Sequence, residues 1–177
     1  MILDRLLVFS GVVGTSIVDS PTASGVSTNI IDLGISGLPP ASAGGNARDL
    51  GIGDDPALKL LVQITTTFTG TSTLAVALQG AQDAGTGAPG AFSSWWTSPT
   101  VAAANLVQGA RLYDMDMPRP PAGLPVPRFL QMAYTLSATP TAGSLLAALV
   151  LDRFDQMYNA TANQTLGGYP PGIAIAN

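Results

Sequence analysis

The sequence has no cysteine and no histidine, and all 11 of its acidic residues are aspartate. Without thiols there is no disulfide framework, no zinc–thiolate cluster and no cysteine nucleophile, so packing alone must hold the chain together, and its redox compartment leaves no mark. Without imidazole, the usual general base, the commonest metal ligand and any Ser-His triad are excluded. Charge is scarce as well. Charged residues make up 10% of the 177, against roughly 25% in ordinary soluble domains. The formal net charge is -4, and the basic residues are Lys59 and six scattered arginines. A chain of this kind is a poor match for a phosphate backbone, and no nucleic-acid partner is expected. No apolar run approaches the roughly twenty residues that cross a bilayer as a helix. The mean hydropathy of +0.34 comes from Ala, Leu and Val spread along the chain, and no membrane partner is expected either. A surface this poor in charge is built of Thr, Ser, Gly, Ala and Asn, or it is covered by other proteins.

What is present points to strands. The size, 18.0 kDa, suits one domain with a sizeable core and attached arms. In residues 58–69, Leu60, Val62, Ile64 and Phe68 alternate with Leu61, Gln63, Thr65 and Thr67. After a Thr-Gly-Thr-Ser turn, Leu74, Val76 and Leu78 alternate with Ala75, Ala77 and Gln79. The pattern predicts a hairpin. Residues 128–152 repeat the design: Leu130, Met132 and Tyr134 mark one strand face, and a Ser/Thr/Pro/Gly turn leads into Leu145–Leu151, where every position is Leu, Ala or Val. A strand built from that second run must be covered on both faces. A helix is the rival, since Ser144 is a possible cap and Leu146, Leu149, Val150, Arg153, Phe154 and Met157 follow helical spacing. Residues 111–117 alternate again, with Leu112, Asp114 and Asp116 opposed to Arg111, Tyr113, Met115 and Met117. The Gly/Pro-rich stretches at 37–57 and 80–100 read as long loops, and residues 118–127 as a stiff connector. Leu6–Val18 has the length of a signal-peptide core, but "MILDR" carries no net positive charge, and the reading preferred is an ordered N-terminal arm.

Each chemical candidate has a plain structural competitor. Asp114 and Asp116 share a strand face, a geometry that suits a hard cation, but the reading preferred is a solvated strand face. Asp54 and Asp55 before Pro56 read as turn formers, and Asp152 and Asp155 around Arg153 as a surface ion pair. Trp95 and Trp96 suit one core ring and one interface ring; with Tyr113 they would make a sugar-stacking platform if all three lay exposed on one face. The sequons at Asn159 and Asn163 are common by chance in a Thr-rich chain. A hydrolase built on paired aspartates is the remaining enzymatic option, and it lacks Glu and His partners.

Taken in order and spacing, "MILDRLLVFS", "STNIIDLG" at 27–34, "LLVQITTTF" and "LPVPRFLQMAYTLSATPTAGSLLAALVLD" resemble capsid cement (decoration) proteins of tailed bacteriophages, of the Bordetella-phage type. The resemblance covers most of the chain and is weakest at 37–57, at 80–100 and after Arg153. It implies an all-β, jelly-roll-like antiparallel β-sandwich with terminal arms, which makes residues 144–152 a strand. It also implies a small oligomer on the outer surface of a phage capsid and no catalytic residue, cofactor or metal. The expected organisation is an N-terminal arm and first strand at 1–26, the sandwich at 27–158 and a tail at 159–177. The expected partners are the major capsid protein and further copies of the chain, as a homotrimer. Contacts are expected from Ile2, Leu3, Arg5 and Leu6 in the arm, Arg48 and Asp49 in the long loop, Trp95 and Trp96, and Tyr169 in the tail. Residues 1–9 and 160–177 are expected to pack on a neighbouring subunit or the shell. The other function class compatible with the sequence is a carbohydrate-binding or adhesin-type β-sandwich on the virion.

Overall fold

The computed structural model describes residues 7–12, 15–33, 58–119, 121–123 and 127–151. The strands are β1 (Gly25–Val26), β2 (Ile31–Asp32), β3 (Leu58–Thr69), β4 (Thr73–Ala81), β5 (Ser93–Thr97), β6 (Val101–Ala102), β7 (Arg111–Asp116), β8 (Phe129–Leu136) and β9 (Ala142–Leu151). They form two antiparallel sheets. One runs β1-β8-β4-β5, with β2 also on β8 and β6 also on β4; the other runs β7-β3-β9. The N-terminal segment continues the second sheet past β9 through bridges from Val8 to Ala148 and from Asp19 to Leu145.

The core lies between the sheets and follows the alternation read from the sequence. Val62, Ile64 and Phe68 of β3, Leu74, Val76 and Leu78 of β4, Leu130, Met132 and Tyr134 of β8, and Leu149 of β9 are each at most 2% exposed. Leu151, expected among them, has a side chain outside the described residues. The apolar run of β9 is a strand, and it is buried on both sides. Leu145, Ala147 and Leu149 join the main core, while Leu146, Ala148 and Val150 join a second cluster with Val8 and Leu61, against which Val18 packs. Truncating Leu149 to alanine leaves a hole where no neighbour can collapse easily. The expected loss is about 3 kcal/mol, read as a lower thermal midpoint; an unchanged midpoint would place Leu149 outside the core.

Three sequence readings need correction. The two expected hairpins are not hairpins: β3 pairs with β7 and β9, and β4 pairs with β5, β6 and β8. Each short turn instead carries the chain from one sheet to the other, and the two arches pair with each other along their length, β3 with β9 and β4 with β8. Their tips are stitched by Ser137 N–H to the Thr73 carbonyl at 3.2 Å and Thr141 N–H to the Thr69 carbonyl at 3.1 Å. The physical reason is that both runs present apolar faces that bury best against each other across a sandwich. An antiparallel ribbon bent across two sheets is the jelly-roll arrangement. Second, part of the supposed loop at 80–100 is β5, with both tryptophans, paired to β4. Third, Leu7, Val8 and Phe9 do not await a neighbour. They are 3%, 3% and 0% exposed within this chain, because the N-terminal segment completes the edge of β9.

Candidate functional site

The two open sides of the sandwich are closed by different chemistry. On one side the edge strands β5 and β7 meet through Trp96 and Tyr113, whose rings pack edge to face with centroids 4.8 Å apart and planes at 80°. Trp95 turns inward and is buried in the main core. Its ring occupies the space over Gly80, where an added Cβ would lie 2.8 Å from the indole, so a side chain at that β4 position would displace it. Trp95, Trp96 and Tyr113 therefore share no flat, exposed face on which a sugar could stack. On β7, Asp114 is held by Arg111 at 2.7 Å, and Asp116 sits opposite Lys59 in register. Among the described residues, no group of three or more Asp, Glu, His or Cys is placed to hold a metal ion.

At one end of the sandwich Arg128 acts as a clasp. Its guanidinium donates to both carboxylate oxygens of Asp32, at 2.9 and 3.0 Å, and to Asp83; it also lies over the Phe129 ring, 4.8 Å from the centroid. Its main chain bonds the Ala81 carbonyl at 3.1 Å and the Leu33 N–H at 2.8 Å. The clasp thus joins β2, the end of β4 and the start of β8. Asp83 also accepts N–H bonds from Gly85 and Gly87, at 2.8 and 2.9 Å. These glycine N–H groups, Gly85 first, hold its carboxyl below the ordinary value of 3.8; burial opposes them less strongly, and the Arg128 hydrogen bond and charge add smaller lowering effects. A depressed folded-state pKa stabilises the fold above the unfolded pKa, and that contribution is lost as pH falls through the folded value. Between about pH 5 and pH 3 the wild-type midpoint should therefore fall more steeply than that of Asp83→Asn. Parallel acid limbs in a thermal melting series would show that Asp83 adds nothing there.

The opposite side is closed by a buried carboxylate. Asp19, 8% exposed, accepts hydrogen bonds from Gly11 N–H at 2.8 Å, from the N–H and hydroxyl of Thr28, and from the Tyr134 hydroxyl at 2.9 Å. Its main chain exchanges two 2.9 Å bonds with Leu145 of β9. One residue thereby ties the N-terminal segment and β9 in one sheet to β8 and the β1–β2 connection in the other. Burial pushes the Tyr134 hydroxyl pKa upward, and the Asp19 charge and hydrogen bond add to the shift. Tyr134 is a neutral donor here and not a proton acceptor. Asn29 reinforces the seam: its side-chain amide donates to the carbonyl oxygens of Val8, Ser10 and Gly11.

Of the contact residues expected from sequence, the structure places Trp95 in the core and Trp96 half-buried at the β5–β7 edge. Ile2, Leu3, Arg5, Leu6, Arg48, Asp49 and Tyr169 lie outside the described residues, as do Asp54, Asp55, Asp152, Asp155, Asn159 and Asn163. The sequence reading missed Asp19 and Arg128. The available signal for Asp19 was its isolation, since it is the one charged residue in positions 6–31.

No curated protein matches the chain. A family model named Bbp16 matches residues 16–149, a span that runs from the N-terminal segment through β9 almost to its end. The match contains Asp19, Tyr134 and Arg128, and so both the seam and the clasp. With most of its length inside that match, the chain belongs to the Bbp16 family of bacteriophage proteins.

Proposed function

We propose that the protein is a structural virion component that decorates the outer surface of the capsid and cements it by bridging neighbouring major capsid protein subunits. The observation that carries this reading is the family match over residues 16–149. The composition supports it: a domain with 10% charged residues and no histidine or cysteine is suited to being covered by protein, and its buried polar groups serve to hold its two sheets together. The protein acts as a homo-oligomer, a trimer in the pattern of the cement proteins it resembles. Its chemistry is binding. A molecule that contacts two shell subunits adds buried surface across their joint, and because it binds the assembled state and not the dispersed one, mass action shifts disassembly away. A stable bridge needs an interface of about 1,200 Å² or more in total.

The reading is tested by mixing the purified protein with phage heads that lack it, pelleting the heads and washing them. Saturable retention at a fixed number of copies per head is expected. Heads that emerge from the wash without the protein would contradict the proposal.

A further inference from the structure

A buried tryptophan ordinarily finds an acceptor for its indole N–H. Trp95 does not. It is 9% exposed, and among the described residues nothing accepts a hydrogen bond from its Nε1. The atom is not sealed in either, since among the described residues the Ser72 hydroxyl is the one side-chain group that is both fully buried and unpartnered. The space beside it is a cavity of about 160 Å³ at the clasp end of the sandwich, walled by Gly80, Asp83, Ala91, Ser93 and Trp95 among others. The Nε1 edge of the indole lies over Gly80, 2.8 Å from where a Cβ would stand. The glycine that lets the ring approach β4 thus also sets its donor beside the cavity. Asp83 supplies an acceptor. Its Oδ1 takes the N–H groups of Gly85 and Gly87 and its Oδ2 the Arg128 guanidinium, while a carboxylate offers about four lone-pair sites. The Ser93 hydroxyl donates to the Gly80 carbonyl at 3.4 Å, which leaves its oxygen to accept. The cavity beside Asp19 offers nothing comparable, because that carboxylate is already filled by Gly11, Thr28 and Tyr134.

We infer that this cavity binds one neutral pyranose ring, as a free sugar or as the end of a glycan chain. Such a site is separate from the cementing role and uses none of its contacts. Size sets the first limit, since a cavity of about 150 Å³ admits one six-membered ring. Charge sets the second. Asp83 is already paired with Arg128, so a cationic ligand gains no free countercharge and an anionic one meets the carboxylate. The third limit is hydrogen bonding: the walls present a donor at Trp95 and acceptors at Asp83 and Ser93. A carbonyl group serves only the indole, and an ammonium only the acceptors. A sugar hydroxyl both donates and accepts, so adjacent hydroxyls on one ring can take the indole N–H and donate to Asp83 Oδ2. This is not a stacking platform of Trp95, Trp96 and Tyr113, because Trp95 alone takes part, through its edge. One ring held in this way binds weakly, with a Kd of about 1 mM. Many copies on one particle raise the effective affinity for a surface that displays such rings.

The test is a titration of the full-length protein with neutral methyl pyranosides of the glucose, galactose, mannose and N-acetylglucosamine series, with glycerol as the control. The readout is the pair of indole N–H signals in a nitrogen–proton correlation spectrum, one for each tryptophan and assigned with Trp95→Phe. At least one pyranoside should move the Trp95 signal saturably at millimolar concentration and leave the Trp96 signal in place. Ala91→Phe fills the cavity from an exposed position and should abolish the shift with an unchanged melting midpoint. Trp95→Phe keeps a ring in the core and removes the donor, so binding followed by ligand-observed saturation transfer should weaken about tenfold. An oligosaccharide ending in the preferred ring distinguishes the two sources: binding at least as tight as the free sugar identifies a chain end, and weaker binding identifies the free sugar. Failure of every pyranoside to move the Trp95 signal, an equal shift with glycerol, or a shift that survives in Ala91→Phe would overturn the inference.

Discussion

Replacing Asp19 with alanine is expected to destabilise the fold by about 4 kcal/mol, seen as a fall of roughly 10 °C in the thermal midpoint. The size follows from what the carboxylate leaves behind. Gly11 N–H, Thr28 N–H and the Tyr134 hydroxyl all point at it, and the bonds from Gly11 and Tyr134 are buried. A buried donor without a partner costs about 1–3 kcal/mol. The Asp19 seam also holds the two sheets together on the side where the N-terminal segment closes β9, so its loss loosens Val8, Phe9 and the β1–β2 connection together. Tyr134→Phe removes one donor and leaves the carboxylate with the others, and its cost should be smaller, about 1 kcal/mol. Equal and small effects from the two variants would show that the network is solvent-satisfied and carries little of the stability.

The same network shows where sequence reasoning stops. The faces of β3, β4 and β8 were legible because a period of two sorts side chains onto opposite sides of any strand, whichever strand lies next to it. Their partners were not legible, for the same reason. A Thr-Gly-Thr-Ser turn between two alternating runs looks alike whether the runs pair in one sheet or face each other across two, and only the second arrangement buries Leu60, Val62 and Ile64 against Leu74, Val76 and Leu78. The two-sided burial of β9 was legible from its unbroken apolar run. Strand β5 was not, since Ser93, Ser94 and Thr97 give its five residues the composition of a loop. Asp19 was the least accessible of all. Its donors come from 8, 9 and 115 positions away, and no local pattern reports such a meeting.

The central claim is that the protein strengthens a phage head, and the expected effect there is the largest at the level of function. Packaged DNA presses outward on a shell whose weakest places are the joints between subunits. A protein bound across such joints must be released before they part, so its binding free energy adds to the work of opening the shell, and that addition grows with occupancy. Each bridging molecule contributes only the surplus of its interface over the cost of immobilising it, but many copies act on one particle. The direct measurement is release of DNA on heating, followed by dye fluorescence, from heads carrying the protein and from otherwise identical heads without it. The account predicts release at a clearly higher temperature from the decorated heads, restored to bare heads by adding the purified protein back. Release at the same temperature from both, with no copies of the protein left in washed particles, would contradict it.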